Sequence, residues 1–189
     1  MLIVCLIFLK PCFQLLKKRI GRLLGMDRSF KLAPMSMLIR GLTVALLGLP
    51  LFFGLHAFAS HRWVTGAISL VLIALYAVVW VWCRPSRFVV SETHLEVIFP
   101  GWRRRIPLLD LTEVQILNKA SSRQAFGWSV RIGVGGLWGG FGWLWTKRRG
   151  LLDFYISRVD GLVLIQRSTG RDLLISPENP VQMAGSLQK

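Results

Sequence analysis

Two long apolar stretches, separated by only three residues, constrain the fold of this chain more than any other feature of its sequence. Residues 41–59 and residues 63–83 carry no Asp, Glu, Lys or Arg, and each stretch is long enough to cross a hydrocarbon core of about 30 Å as a helix. Because only Ser60, His61 and Arg62 connect them, both outer ends must lie on the same side of the membrane. The sequence therefore predicts a two-helix transmembrane hairpin.

The distribution of basic residues predicts the orientation of this hairpin. Eight Lys or Arg residues precede the first stretch, and Arg84 and Arg87 follow the second, whereas the connecting turn contains only Arg62. Lys and Arg are enriched in the loops that stay in the cytoplasm. We therefore expect a multi-pass protein of the cytoplasmic membrane with both termini in the cytoplasm.

The composition also fits a membrane protein and excludes an ordinary soluble enzyme. The chain has 189 residues, a formal net charge of +15, 53% hydrophobic residues and 17% charged residues, whereas a soluble domain averages about 25% charged residues. Strong basic charge also raises the question of nucleic-acid binding, but nine of the 24 basic residues lie in residues 10–62, around the apolar stretches. With no recognition helix or stacking motif in the sequence, we predict no nucleic-acid partner.

Residues 1–40 are predicted to form a basic N-terminal segment. Within it, residues 13–24 place apolar side chains on one helical face and Lys18, Arg19 and Arg22 on the other, a pattern typical of a helix lying on an anionic membrane surface. A second interpretation is that translation starts at Met26, so that residues 1–25 are not part of the protein. The sequence leaves both interpretations open.

Residues 86–189 have the pattern of short strands instead of a long apolar run. The run HLEVIF alternates in hydrophobicity before a Pro-Gly turn, and Asp160-Gly161 is a strong hairpin signal. Near the end, Asn179-Pro180 is typical of a helix start, and Met183 and Leu187 would share its inward face. The pattern predicts six or seven strands closed by one helix, either as a small barrel or as a pair of packed sheets.

Three runs in residues 86–188 resemble the bacterial pleckstrin-homology (PH-like) domain family. They are FVVSETHLEVIFPGWRRRIPLLDLTEVQIL, the Gly-rich FGWSVRIGVGGLWGGFGWLW, and FYISRVDGLVLIQRSTGRDLLISPENPVQMAGSL. The resemblance implies a bent β-barrel of about seven strands with a C-terminal capping helix, which would make the chain an α+β protein of a bacterial cytoplasmic membrane. It implies no particular ligand, because the first hairpin, Ser91-Glu92-Thr93-His94, contains no Lys or Arg that could hold a phosphate.

One candidate contact site is a basic run. It consists of Trp102, Arg103, Arg104 and Arg105, and near an anionic leaflet each Arg could contribute about 1 kcal/mol of attraction. Strand alternation would place Arg103 and Arg105 on one face and Arg104 on the other. The alternative is a solvated edge whose charges only reflect the cytoplasmic location.

A second candidate contact site lies in the aromatic, Gly-rich residues 126–150. Its predicted contact residues are Trp138, Phe141, Trp143, Trp145, Lys147, Arg148 and Arg149. Aromatic rings on a flexible backbone beside basic residues suit a loop at the bilayer interface, and they equally suit the apolar groove of a protein partner. In a third interpretation the aromatic side chains fill the core of the domain and the glycines permit bulges and corners.

We expect no enzymatic activity, cofactor or metal site. His94 is the only histidine after residue 83, no cysteine follows Cys83, and the acidic residues form no recognisable acid/base pair. The sequence therefore predicts a membrane-tethered binding or scaffolding module that contacts anionic lipid, a protein partner or a second copy of itself. The alternative is a structural subunit of a larger membrane complex, in which the domain makes only protein contacts.

Overall fold

Two apolar helices form an antiparallel hairpin in a computed structural model that describes residues 28–188. Helix α1 spans Met37–Ser60, and its N-terminal amide at Ile39 donates to the hydroxyl of Ser36. Helix α2 spans Trp63–Val78 and continues as a π-helical turn over Val79–Cys83. Both helices are long and apolar enough to cross a membrane, and their apolar windows are only 6% and 11% buried. The predicted amphipathic segment and the alternative start at Met26 lie outside the described residues.

Polar groups inside the helix hairpin bond across the two helices. Pro50 has no N–H, so the carbonyl of Leu46, four residues earlier in α1, lacks its usual helical partner. The hydroxyl of Tyr76 in α2 donates to that carbonyl at 2.9 Å, and Ser69 donates to the carbonyl of Pro50 at 2.8 Å. The proline is therefore accommodated because the second helix satisfies the carbonyl that it leaves free.

Replacing Tyr76 with phenylalanine is expected to weaken this hairpin by about 1 kcal/mol, because the carbonyl of Leu46 would lose its donor. Unfolding of the full chain in mixed micelles by increasing SDS measures the change. The control is Ser60→Ala, whose hydroxyl contacts only its own helix and whose loss should matter less. Equal stability of Y76F and the wild type would show that the interhelical bond contributes nothing.

A small antiparallel sheet combines strands from both sides of the hairpin. Its order is β1 (Arg28–Lys31), β2 (Arg87–Val90), β3 (His94–Ile98) and β4 (Arg103–Pro107). Strand β1 precedes the helices, and Phe30 lies opposite Phe88 in its pairing with β2. The C-terminal domain therefore includes a strand from the N-terminal side of the helix hairpin. The sequence pattern did not predict this strand.

The large sheet has six strands in the order β5-β9-β10-β8-β7-β6. Their bounds are β5 Leu111–Leu117, β6 Ser129–Gly135, β7 Gly140–Thr146, β8 Gly150–Ile156, β9 Leu162–Arg167 and β10 Leu173–Ile175. All pairings are antiparallel except that of β10 with β8. The hairpin predicted at Asp160-Gly161 is wrong, because β10 lies between β8 and β9 and these two strands do not pair with each other. Helix α3 (Lys119–Phe126) follows β5, and helix α4 (Pro180–Leu187) ends the domain.

The resemblance implies a bent barrel of about seven strands, but the described residues form no closed barrel and instead have the alternative arrangement, a pair of packed sheets. The described residues form two separate sheets with ten strands in all. A 3₁₀ turn at Leu108–Asp110 separates β4 of the small sheet from β5 of the large sheet, and β1 occupies the outer edge of β2. Strand β4 therefore does not pair with β5. Packing of side chains joins the two sheets, together with an isolated antiparallel bridge between Leu32, just after β1, and Pro177, just after β10.

The two faces of the large sheet bury separate apolar clusters. One face packs against the small sheet and α4, and it contributes Val114, Phe141, Tyr155, Val163, Ile165, Leu173 and Ile175 to the main core. Phe126 of α3 and residues such as Leu152 and Leu164 form the second cluster on the opposite face. The predicted helix start is confirmed, with Pro180 at the first position of α4 and both Met183 and Leu187 buried.

Candidate functional site

The β6-β7 hairpin exposes large apolar side chains on one face. Residues 129–146 belong to the Gly-rich segment for which the sequence leaves a loop at the bilayer, a partner contact and a core role open, and they form two paired strands with a short turn between them. Val130 lies opposite Trp145 and Ile132 opposite Trp143, so these four residues share one face. Together with Trp128, which lies edge-on to Trp145 at 5.9 Å between ring centroids, we call them the aromatic face. Each of the five is 38–68% exposed.

The aromatic face continues the core face of the large sheet. Phe141 and Tyr155 lie opposite each other on β7 and β8, on the side that packs against the small sheet. Phe141 is thus a core residue, 1% exposed, and is no part of the exposed surface. Two residues further along β7, the small sheet no longer covers the strand. The predicted segment is therefore divided, with Phe141 in the core and Trp143 and Trp145 at the surface.

Of the three basic residues at the β7-β8 turn, only Arg149 is ion-paired within the described part of the chain. Its guanidinium lies 3.9 Å from Asp172. Lys147 and Arg148 are exposed, and Arg148 donates to the backbone carbonyl of Gln124. Because the backbone N–H of Lys147 donates to the carbonyl of Trp128 at 3.0 Å, two positive charges lie at one end of the aromatic face.

The predicted alternation in the basic run is confirmed, since Arg104 points inward and Arg105 outward. Arg104 donates to the buried carboxylate of Asp153 at 2.7 Å and so joins the two sheets. Burial opposes the charge of Arg104, but the hydrogen bond and the charge of Asp153 outweigh it and raise the pKa of that guanidinium. Arg105 pairs with Glu96 at 2.8 Å, and Arg103 is exposed.

Asp153 connects the basic run to the aromatic face. It lies opposite Trp143 in the pairing of β8 with β7. Arg171 lies 3.5 Å from the second oxygen of Asp153, and its guanidinium is 5.3 Å from the centre of the Trp143 ring. The two candidate contact sites thus meet at one buried carboxylate, although only Arg103 of the basic run is free of ion pairs among the described residues.

The tip of the β6-β7 hairpin is docked on helix α1. The hydroxyl of Thr43 donates to the carbonyl of Gly136 at 2.8 Å and accepts the backbone N–H of Trp138 at 3.0 Å. The Trp138 ring lies edge-on to Trp80 of the π-helical turn, 4.8 Å away. Gly136 has a φ of +94°, and a Cβ there would collide with Leu42. Trp138 therefore contacts the helices of its own chain.

Trp102 likewise contacts the end of the second helix. Its indole N–H donates to the carbonyl of Trp82 at 3.0 Å, and its ring stacks on Phe99 at 4.4 Å. The N–H of Gly101 donates to the carbonyl of Val81 at 3.1 Å. The turn that contains Trp138 thus bonds to the side chain of Thr43 near the start of α1. The turn that contains Trp102 bonds to backbone carbonyls at the end of the second helix.

Sequence reasoning missed parts of this site for identifiable reasons. The alternation in SVRIGV and GFGWLWT is a strand signal, but the high glycine content favoured a loop. Glycines are nevertheless needed inside these strands, because Gly133 and Gly142 lie opposite each other and a Cβ on either would collide with the other strand. Nothing in the sequence indicated that Thr43 holds the hairpin tip.

A family described as bacterial PH domain matches residues 86–189 of the chain. No curated protein and no solved structure matches the chain. Across residues 28–188, no three His, Cys, Asp or Glu side chains lie together in a way that could hold a metal ion.

Proposed function

The chain belongs to the bacterial PH domain family, and on that basis we propose that it is a membrane-tethered binding or scaffolding module of the bacterial cytoplasmic membrane. PH domains are generally binding modules and commonly bind lipids or proteins. In this proposal α1 and α2 cross the membrane, and the domain contacts the anionic leaflet through the aromatic face and its basic residues.

Three properties of the helix hairpin support the membrane crossing. At 1.5 Å per residue, the 24 residues of α1 extend about 36 Å, which exceeds the hydrocarbon thickness of about 30 Å. The apolar side chains of both helices are mostly exposed. Arg40, Arg84 and Arg87 lie at the end nearest the domain and Arg62 at the opposite end, an asymmetry that favours a domain on the cytoplasmic side.

The strongest support for a contact role is the uncovered aromatic face. Large contiguous apolar patches are rare on soluble monomers and commonly mark interaction sites. Tryptophan is enriched at the level of lipid headgroups, where basic side chains can reach phosphates. The tip of the same hairpin is bonded to Thr43, only six residues after the start of α1. The contact surface therefore begins beside the point where the helix would enter the bilayer.

One test is to compare amide hydrogen exchange of the full chain in nanodiscs of zwitterionic lipid with exchange in nanodiscs rich in phosphatidylglycerol. We expect slower exchange in β6 in the anionic discs, and we expect salt to remove the difference. The double variant Lys147→Gln, Arg148→Gln should lose about 2 kcal/mol of this attraction. The charge-preserving exchange Lys147→Arg, Arg148→Lys should retain it. Identical exchange in both lipids at low salt would contradict lipid contact.

A free strand edge favours the second candidate function, a structural subunit of a larger membrane complex. Strand β6 pairs only with β7 among the described residues, and an unpaired edge can receive a strand from another protein. A photoreactive residue in place of Ile132, activated in cells, should then cross-link to one protein partner, and Trp143→Ser with Trp145→Ser should abolish that cross-link. Cross-linking to lipid alone would eliminate this alternative.

A further inference from the structure

A cavity of about 300 Å³ lies on the opposite side of the large sheet from the main core. Helix α3, only eight residues long, covers this side incompletely and leaves a space next to β6 and β7. Apolar side chains from four neighbouring strands form the floor, and they are Leu144, Phe154, Ile156, Leu162 and Leu174. Each of the five is more than nine-tenths buried, and all five belong to the second apolar cluster of the domain.

The mouth of the cavity is basic. Among the residues that the structure describes, Lys119 and Arg131 line it together with Ser122 and Ser129, and no carboxylate does. Within residues 28–188, neither basic side chain takes part in an ion pair. The nearby carboxylate of Asp160 accepts the backbone N–H of Lys119 at 2.9 Å. The cavity therefore combines an apolar interior with two unpaired positive charges at its opening.

One end of the cavity lies beside the start of helix α1. Ile156 in the floor is followed by Ser157, whose hydroxyl donates to the carbonyl of Ala33 at 2.5 Å. The carbonyl of Ser157 accepts the N–H of Ser36 at 3.1 Å, one residue before α1 begins. If α1 enters the bilayer as proposed above, this end of the cavity lies near the lipid headgroups.

We propose that this cavity binds an amphipathic anion with a single aliphatic chain. The chain lies on the apolar floor, and the acidic head, a carboxylate or a phosphate, lies between Lys119 and Arg131. The volume, about 300 Å³, is at the lower limit for small-molecule sites, about 300–1,000 Å³. It therefore fits one chain of moderate length and is too small for a lipid with two full chains.

Photoaffinity labelling of the full chain in a non-ionic detergent tests this proposal. The probes are decanoate, decyl phosphate, decan-1-ol and decyltrimethylammonium, each with a diazirine at the chain end, and labelled peptides are identified by mass spectrometry. We expect saturable labelling around Leu144 and Leu174 by one or both anions and none by the alcohol or the cation. Decanoate stands for a free fatty acid and decyl phosphate for a single-chain phospholipid, so the two arms distinguish the source of the ligand.

Two surface variants test the role of the basic mouth without altering the core. Arg131→Gln removes one charge and should weaken anion binding about tenfold, and Ser129→Glu should weaken it at least as much by repulsion. The matched controls are Arg103→Gln and Ser29→Glu, which change exposed residues of the small sheet and should leave labelling unchanged.

The absence of saturable labelling by both anions, equal labelling by the alcohol, or unchanged affinity in both variants would overturn the proposal. Because these measurements use detergent and no bilayer, such a failure would leave the proposed contact of the aromatic face with the membrane standing. Conversely, identical hydrogen exchange in the two nanodisc compositions would leave the cavity proposal standing.

Discussion

Replacing Phe30 with alanine is expected to destabilise the C-terminal domain by about 3–5 kcal/mol, the usual cost of removing a buried aromatic side chain. Phe30 is 8% exposed and belongs to the main core, where it lies opposite Phe88. The neighbouring backbone also holds the domain, since the N–H of Ala33 donates to the carbonyl of Ser176 and that of Glu178 to the carbonyl of Lys31. The residue precedes the helix hairpin and yet stabilises the domain that follows it.

Hydrogen exchange of the β9 amides in the full chain measures this loss. A cost of about 4 kcal/mol corresponds to exchange about a thousandfold faster. Phe58→Ala is the matched control, because Phe58 lies in α1 and is 84% exposed, and we expect no change in β9. Exchange in F30A as slow as in the wild type would mean that β1 contributes little to the domain.

Replacing Asp153 with alanine is expected to cost about 3 kcal/mol, because a partly buried guanidinium would lose its only described anion. The Asp153 side chain is 4% exposed, and Arg104 lies 2.7 Å and Arg171 3.5 Å from its two oxygens. The variant should also free Arg171 from its position over Trp143. Thermal unfolding of the full chain, followed by near-UV circular dichroism, detects both changes.

The double variant Arg104→Met, Asp153→Leu separates the charge effect from packing. Replacing a buried ion pair with apolar residues of similar size is often neutral, so the double variant should be more stable than D153A alone. If D153A and the double variant were equally unstable, the shape of the side chains would matter more than their charges. A cost below 1 kcal/mol for D153A would show that the pair does not hold the sheets together.

The features that the sequence predicts correctly are those determined by local patterns. The two uninterrupted apolar runs correspond to α1 and α2, the alternation in HLEVIF corresponds to β3, and Asn179-Pro180 begins α4. The alternation of Arg103, Arg104 and Arg105 also follows from strand geometry alone. Each of these features depends on residues within a single helix, strand or turn.

The features that the sequence does not predict depend on distant partners. Phe30 pairs with Phe88 across the entire helix hairpin, and no local pattern in RSFK indicates a strand. Asp153 is the partner of Arg104, although the intervening chain contains three complete strands. The division of the aromatic residues into buried Phe141 and exposed Trp143 depends on where the small sheet ends, a boundary that only the packed structure defines.

The most direct test of the proposed function is to measure whether the aromatic face lies against the bilayer. Ile132 and Ile116 form a matched pair, since they are 47% and 41% exposed and lie on the same face of the large sheet at opposite edges. In a full chain without native cysteines, each is replaced in turn by a cysteine carrying a fluorophore, and the chain is placed in anionic nanodiscs. We predict quenching of the label at 132 by headgroup nitroxide lipids and of the label at 116 by a water-soluble quencher. Equal access of the water-soluble quencher to both labels would contradict a membrane-facing aromatic face.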